Sequence, residues 1–398
     1  ETGVRVSAAG AAVAVTLAGL TVRVDPAAPQ PAVEAEGAGA VLTLREVALE
    51  GGADGLRALA GAAVCASEVS ARGARRRGLV ATGGAALHAS STAVEASTGQ
   101  GVVARGAGTS LTLEGCAVRD TAAVPARRNG AGLVATAGAA VRGSGLVVER
   151  SVSFGLVAHG EGTAVSLAGS AIRDTRRDAW GGAGRGVAVS VGASLDLAGV
   201  LVADSFEDGV FATGAGARLA ARDLLVLGVR PSDAGLGRGI LVDGARAELD
   251  RVAVQNCAGA GLLVSGANRA DAPTTARDLV VREVRPSTIR FVADGAAGRP
   301  FGPLVAYGVH TNFGGAAAVT GALLDAGELG LFNAGGELRL SDAVVSRQRE
   351  GLGAYAAGTP AAATSLVRVV SVDNVDGALR RRDDLPTAAS LGAPLDPC

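Results

Sequence analysis

Short runs in which apolar and polar residues alternate recur along the whole chain, each coupled to a glycine-led apolar phrase. The alternating phrase is Ser110-Leu111-Thr112-Leu113-Glu114-Gly115-Cys116-Ala117-Val118-Arg119-Asp120-Thr121, and it returns from Ala164 to Thr175, from Ser194 to Ser205 and from Ala247 to Cys257. The glycine-led phrase reads Gly78-Leu79-Val80-Ala81-Thr82 and returns at Gly101, Gly132, Gly155, Gly186, Gly209, Gly239 and Gly261. As far as Gly239 the successive intervals are 23, 31, 23, 31, 23 and 30 residues. Self-similarity at roughly 20 to 30 residues marks a solenoid, in which each unit buries its apolar face against its neighbours. Alternation at period two, broken by a small or polar pair, predicts three short strands per unit. No stretch keeps a 3.6-residue stripe long enough for a helix.

The pattern reaches both ends of the chain. Val15-Thr16-Leu17 and Val41-Leu42-Thr43-Leu44 open earlier copies, while Gly308-Val309-His310 and Arg368-Val369-Val370 carry the repeat to about residue 376. This predicts roughly 14 coils and, at about 4.8 Å of strand spacing, a rod on the order of 65 Å long. The expected organisation is one β-helix domain over residues 1–377 and a C-terminal tail or cap over 378–398, beginning near Arg380-Arg381-Arg382-Asp383-Asp384. A Leu-x-x-Leu-x-Leu core with an asparagine ladder is absent, which excludes a leucine-rich repeat. In its repeat grammar the chain resembles the pectate-lyase-like superfamily, without that superfamily's catalytic motifs. The resemblance covers nearly the whole sequence and implies an all-β, right-handed parallel β-helix with insertions on alternate coils.

Composition narrows the setting. With a net charge of −1 no global field draws nucleic acid or a membrane, and no apolar run is long enough to span a bilayer. The absence of Met and of Lys points to a GC-rich bacterial gene whose start has been removed, so an extracellular or cell-surface location is expected. The four cysteines lack zinc spacing, and no metal or cofactor is expected. Cys65 and Cys116 lie two coils apart, too far for a bridge. Cys116 reads as a buried thiol, Cys257 falls in a turn column, and Cys398 is left to the tail.

Candidate chemistry is sparse. The resemblance implies working residues that project outward from one sheet. The outward column four residues after each repeat glycine reads Thr82, Arg105, Thr136, His159, Ser190, Thr213, Asp243, Ser265 and Asn312. Three coils separate His159 from Asp243, on the order of 14 Å, beyond a direct proton relay. Glu161 and Asp178 are the other acids near His159. No catalytic residue is assigned on this basis.

The longer intervals carry insertions, from Thr121 to Asn129, Thr175 to Arg185, Gly228 to Arg238 and Arg282 to Tyr307, all leaving one corner. They hold Arg127, Arg128, Arg176, Arg177, Arg185, Arg230, Arg238 and Arg299, together with Trp180, the only tryptophan. Loops on a rigid scaffold are where binding concentrates. A ridge of arginines there would suit an anionic polysaccharide. Phe301 and Tyr307 belong to an aromatic group around the largest insertion, with Phe291, Phe313, Phe332 and Tyr355. The function expected from this reading is a non-catalytic extracellular scaffold or adhesin that presents loops to a polysaccharide or a surface protein. The alternative is a polysaccharide-active enzyme of the lyase or hydrolase class.

Overall fold

The computed structural model describes residues 3–8, 11–124, 130–178, 184–233, 235–266, 273–290, 300–304, 306–355, 363–375 and 380–381. The chain winds as a parallel β-helix. Among the described residues sheet A has 15 strands, from Val4–Ser7 to the two-residue Arg380–Arg381. Sheet B has 23 strands among the described residues and covers the other sides of the rod. In the register of sheet A, Leu79 stacks on Val102, Val102 on Leu133, Leu133 on Leu156 and Leu156 on Val187. The expected leucine column also holds in sheet B. Leu113, Leu167, Leu197 and Leu249 are buried in one file, with Gly143 and Ala221 interposed.

The repeat glycines are there for space. Where Gly132 lies, a Cβ would stand 2.2 Å from Cγ1 of Val148 and 2.7 Å from the carbonyl oxygen of Gly155 on the next turn. Gly78 faces Val94, Gly101 faces Val118, Gly186 faces Val202 and Gly239 faces Val254 at 2.1 to 2.4 Å in the same way. Sheet A thus begins where it touches the second strand of sheet B, and only hydrogen fits between them.

The corners use single left-handed residues. At the bend of sheet B this residue is Gly115, Gly169 or Gly199 between two strands, and later Asp223, Arg251 or Asp342 inside one continuous strand. At the next corner it is Asp120, Arg150, Asp174, Asp204 and Asn256, at φ of 53 to 57°. Asp and Asn tolerate this conformation better than other side chains. Arg150 and Arg251 adopt it with their guanidiniums hydrogen-bonded to the carboxylate one turn earlier, Asp120 and Asp223.

Beside the glycine column runs a file of buried hydroxyls. The side-chain oxygens of Ser97, Thr121, Ser151, Thr175 and Ser205 have no hydrogen-bond partner. Further along the rod Val229, Cys257 and Val284 fill the same position, one residue after the corner. Cys116 and Cys257 are buried, and burial pushes both thiols up, Cys257 to about 12. Cys65 is exposed on sheet B beside His88.

The largest insertion contains an antiparallel pair, Ser287–Arg290 with Pro300–Leu304, which the repeat pattern does not predict. Beyond Arg380–Arg381, the C-terminal tail lies outside the described residues.

Two outcomes test this packing. Gly132→Ala should destabilise by several kcal/mol, whereas Gly115→Ala, left-handed but with open space around it, should cost only about 1 kcal/mol. Chemical denaturation of both variants measures the difference. Thr175→Val should be neutral or stabilising by up to about 1 kcal/mol, because it replaces an unpaired buried hydroxyl with the residue found elsewhere in the file. A clear loss in the same assay would mean that the hydroxyl is satisfied.

Candidate active site

One column of sheet A collects charge in two separate sets. Asp54 stacks on Arg77, while further along Arg185 precedes Asp208 and Asp208 stacks on Arg238. Asp208 is fully buried and accepts hydrogen bonds from Arg238 at 2.6 and 3.1 Å. Arg185 contacts it at 3.1 Å and donates to Glu207 at 2.6 Å. Burial raises the pKa of Asp208, and Arg238 and Arg185 oppose that rise. The guanidinium of Arg185 also lies 4.1 Å from the ring centre of Phe211. At the other end Arg77 holds buried Asp54 through two bonds of 2.8 and 2.9 Å. These sets are closed. Each carboxylate is committed to arginine and Asp54 and Asp208 are out of reach of solvent, so their work is to fasten successive turns.

An open constellation lies at the corner from which the insertions leave. The insertion at 121–129 runs from sheet B strand Ala117–Arg119 to sheet A strand Ala131–Thr136, and the next runs from Ala171–Arg173 to Arg185–Ser190. There a cleft of about 710 Å³ is lined by Arg150, Asp174, Arg176, Arg177, Asp178, Phe206, Arg230 and Asp233. Phe206 is held between two cations, with the guanidinium carbons of Arg177 and Arg230 at 4.8 and 4.3 Å from its ring centre. Arg177 pairs with Asp233, and Arg230 donates to the carbonyl of Asp204 at 3.0 Å. Arg150 is fixed by Asp120 at 2.8 and 2.9 Å and by Glu149 at 2.9 Å.

Glu149 serves Arg119, Arg150 and Arg173 together. Burial works to raise its pKa, but hydrogen bonds from Arg173 and Arg150 outweigh this and hold the carboxyl below the usual range. Two groups in the cleft, Arg176 and Asp174, form no ion pair among the described residues, although, after the hydrogen bonds from Arg150, the charge of Arg176 helps to lower the pKa of Asp120. Arg176 is exposed and Asp174 half-buried.

The expected ridge is therefore divided in space. Arg176, Arg177 and Arg230 share the cleft, while Arg185 and Arg238 stand on sheet A within the closed set. Arg127, Arg128, Trp180 and Arg299 lie outside the described residues, as does the side chain of Phe301. Tyr307 is buried, stacked on Phe332 with ring centres 4.9 Å apart and 4.6 Å from the ring of His310. His159 is exposed with its Nδ1 2.9 Å from the Ser190 hydroxyl, and the register keeps it three turns from Asp243.

The sequence reading missed Glu207, Asp208 and Phe206. The signal was the Phe-Glu-Asp run immediately before repeat Gly209. Among the described residues no group of three or more His, Cys, Asp or Glu could hold a metal ion, and no helix is long and apolar enough to cross a membrane.

No protein-family model and no curated protein matches the sequence. Solved structures similar to the chain include the periplasmic alginate epimerase AlgG, at 9% identity and a TM-score of 0.43, over 90% of this chain and 85% of that one. The catalytic domain of a GH87 α-1,3-glucanase is similar at 12% identity and a TM-score of 0.37, over 95% of this chain and 61% of that one. The tailspike protein of E. coli bacteriophage HK620 is similar at 10% identity and a TM-score of 0.37, over 95% of this chain and 74% of that one. At such identities the likeness concerns the fold.

The expected non-catalytic scaffold or adhesin is nevertheless corrected. The expectation rested on titratable side chains failing to converge, whereas the cleft gathers three aspartates and four arginines.

His310 supplies a test of the aromatic group. It is buried with its Nε2 unpartnered, and burial lowers its pKa from 6.5 to about 3. The folded protein keeps this imidazole neutral while the unfolded chain protonates it, so stability falls as pH drops from about 6.5 toward 3. The loss amounts to roughly 5 kcal/mol when complete. His310→Leu should flatten that part of the pH–stability profile, measured by denaturant unfolding between pH 7 and pH 4. A profile as steep as that of the wild type would contradict it.

Proposed function

We propose that the chain is a polysaccharide-active enzyme of the lyase or hydrolase class, acting outside the cell or at its surface on a polymer that contains uronic acid. The observation that carries the reading is the juxtaposition, in one cleft, of a carboxylate, Asp174, and a guanidinium, Arg176, that form no ion pair among the described residues. A guanidinium recognises a sugar carboxylate through paired hydrogen bonds. The Phe206 ring, set between Arg177 and Arg230, holds those two guanidiniums in place in the cleft.

Asp174 sits on a rigid corner, so its carboxylate is presented by backbone geometry and not by a loose loop. Its role is proton transfer. In the lyase course it takes the proton from the carbon bearing the carboxylate, the bond from the neighbouring carbon to the glycosidic oxygen breaks, a double bond forms between those two carbons and the leaving oxygen takes a proton from solvent. In the hydrolytic course its protonated form delivers a proton to the glycosidic oxygen as that bond breaks, and the water that adds to the sugar carbon returns a proton to Asp174. Arg176 steadies the carboxylate in either case.

Incubation with polygalacturonate and alginate should release unsaturated or reducing ends. Asp174→Asn should lower the rate by about 100-fold or more, as loss of a general acid or base does. Arg176→Ser should act mainly by raising KM. No release from either polymer, or release undiminished in Asp174→Asn, would overturn the proposal.

A further inference from the structure

Away from the corner, the outer face of sheet B carries two arginines stacked directly on one another. Arg218 and Arg246 are paired across neighbouring parallel strands, both are exposed, and neither has an ion-pair partner among the described residues. Like charges set opposite each other on adjacent strands destabilise a sheet. The residue before them in the column is Ser194, which brings no compensating charge. The pair lines a shallow groove of about 490 Å³ that runs across successive turns. Two carboxylates, Asp196 and Glu248, lie in the same groove one column further on, separated by Ala220.

We infer that this groove is a second binding surface for the uronic acid polymer, separate from the cleft. The inference rests on the reading that the substrate is such a polymer. A sugar carboxylate fits the two unneutralised guanidiniums, which donate from adjacent turns about 4.8 Å apart. The hydroxyl groups of the same sugar donate to Asp196 and Glu248. A chain lying along the rod meets this donor and acceptor pattern and pairs these four charges, while Arg142, two places before Asp196 in its column, adds a further guanidinium at the end of the groove. A polymer densely covered in sulfate satisfies the arginines but is repelled by the two acids. The surface thus selects carboxylate with free hydroxyls over charge density alone.

The test is binding of fluorescently labelled polygalacturonate oligomers to the full chain at low salt, with Asp174→Asn in the background so that substrate persists. Arg218→Ser together with Arg246→Ser should weaken binding about tenfold or more, the loss expected of two charge-assisted contacts. Thermal stability should be kept or slightly raised, since a like-charge contact is removed. Asp196→Asn together with Glu248→Gln should also weaken oligomer binding while strengthening binding of dextran sulfate.

Unchanged oligomer binding in the arginine double variant would overturn the inference. So would stronger oligomer binding in the acid double variant, which marks a plain polyanion patch. Because binding is read without turnover, an inactive cleft leaves this result standing, and a silent groove leaves the activity of the cleft standing.

Discussion

The contact between the glycine file of sheet A and the valine file of sheet B governs everything else in this rod. From Gly78 to Gly261 the two backbones approach until one hydrogen separates the glycine Cα from a Val or Ile methyl, and the next turn's glycine carbonyl closes the space from the other side. Such a contact has no slack. It fixes where each sheet A strand begins, and through strand pairing it locks the register of every column on both faces. A slip of one residue would drive side chains into this seam and turn the leucine column outward.

Because register is so tightly fixed, outward side chains fall into files spaced at about 4.8 Å, and charge is organised by file. On sheet A the files alternate sign, so that Arg185, Asp208 and Arg238 neutralise each other and bury what they neutralise. At the corner the alternation fails. Asp120, Arg150, Asp174 and Asp204 follow one another, which leaves Asp174 without the cation that Asp120 enjoys. The stacked arginines on sheet B are a second break in alternation. Departures from local neutrality on an otherwise neutral rod mark where an external charge completes the pattern.

Much of this was legible in the sequence, because a solenoid writes its inward residues at a fixed period. Leu113, Leu167, Leu197 and Leu249 share a column in the structure as their phrases align in the sequence. The functional residues were harder to read because they depend on where a strand begins. Arg185 and Arg238 stand one residue before a repeat glycine, and counting strands from the glycine assigned both to insertions. Strand pairing starts earlier and sets them on sheet A opposite Asp208. Phe206 went unread because its partners Arg177 and Arg230 come from turns on either side, a contact that only coiling creates. Arg218 and Arg246 are ordinary polar positions in their own strands, and their stacking appears only in register.

The central claim is that the corner cleft receives a uronic acid sugar between Arg176 and Asp174. A crystal structure of the Asp174→Asn variant soaked with an oligogalacturonate tests it most directly. The account predicts a sugar ring in the cleft, its carboxylate on Arg176 and the residue at position 174 within hydrogen-bond distance of a reacting atom. An empty cleft in crystals whose corner is open to solvent, with the oligomer bound elsewhere, would contradict it.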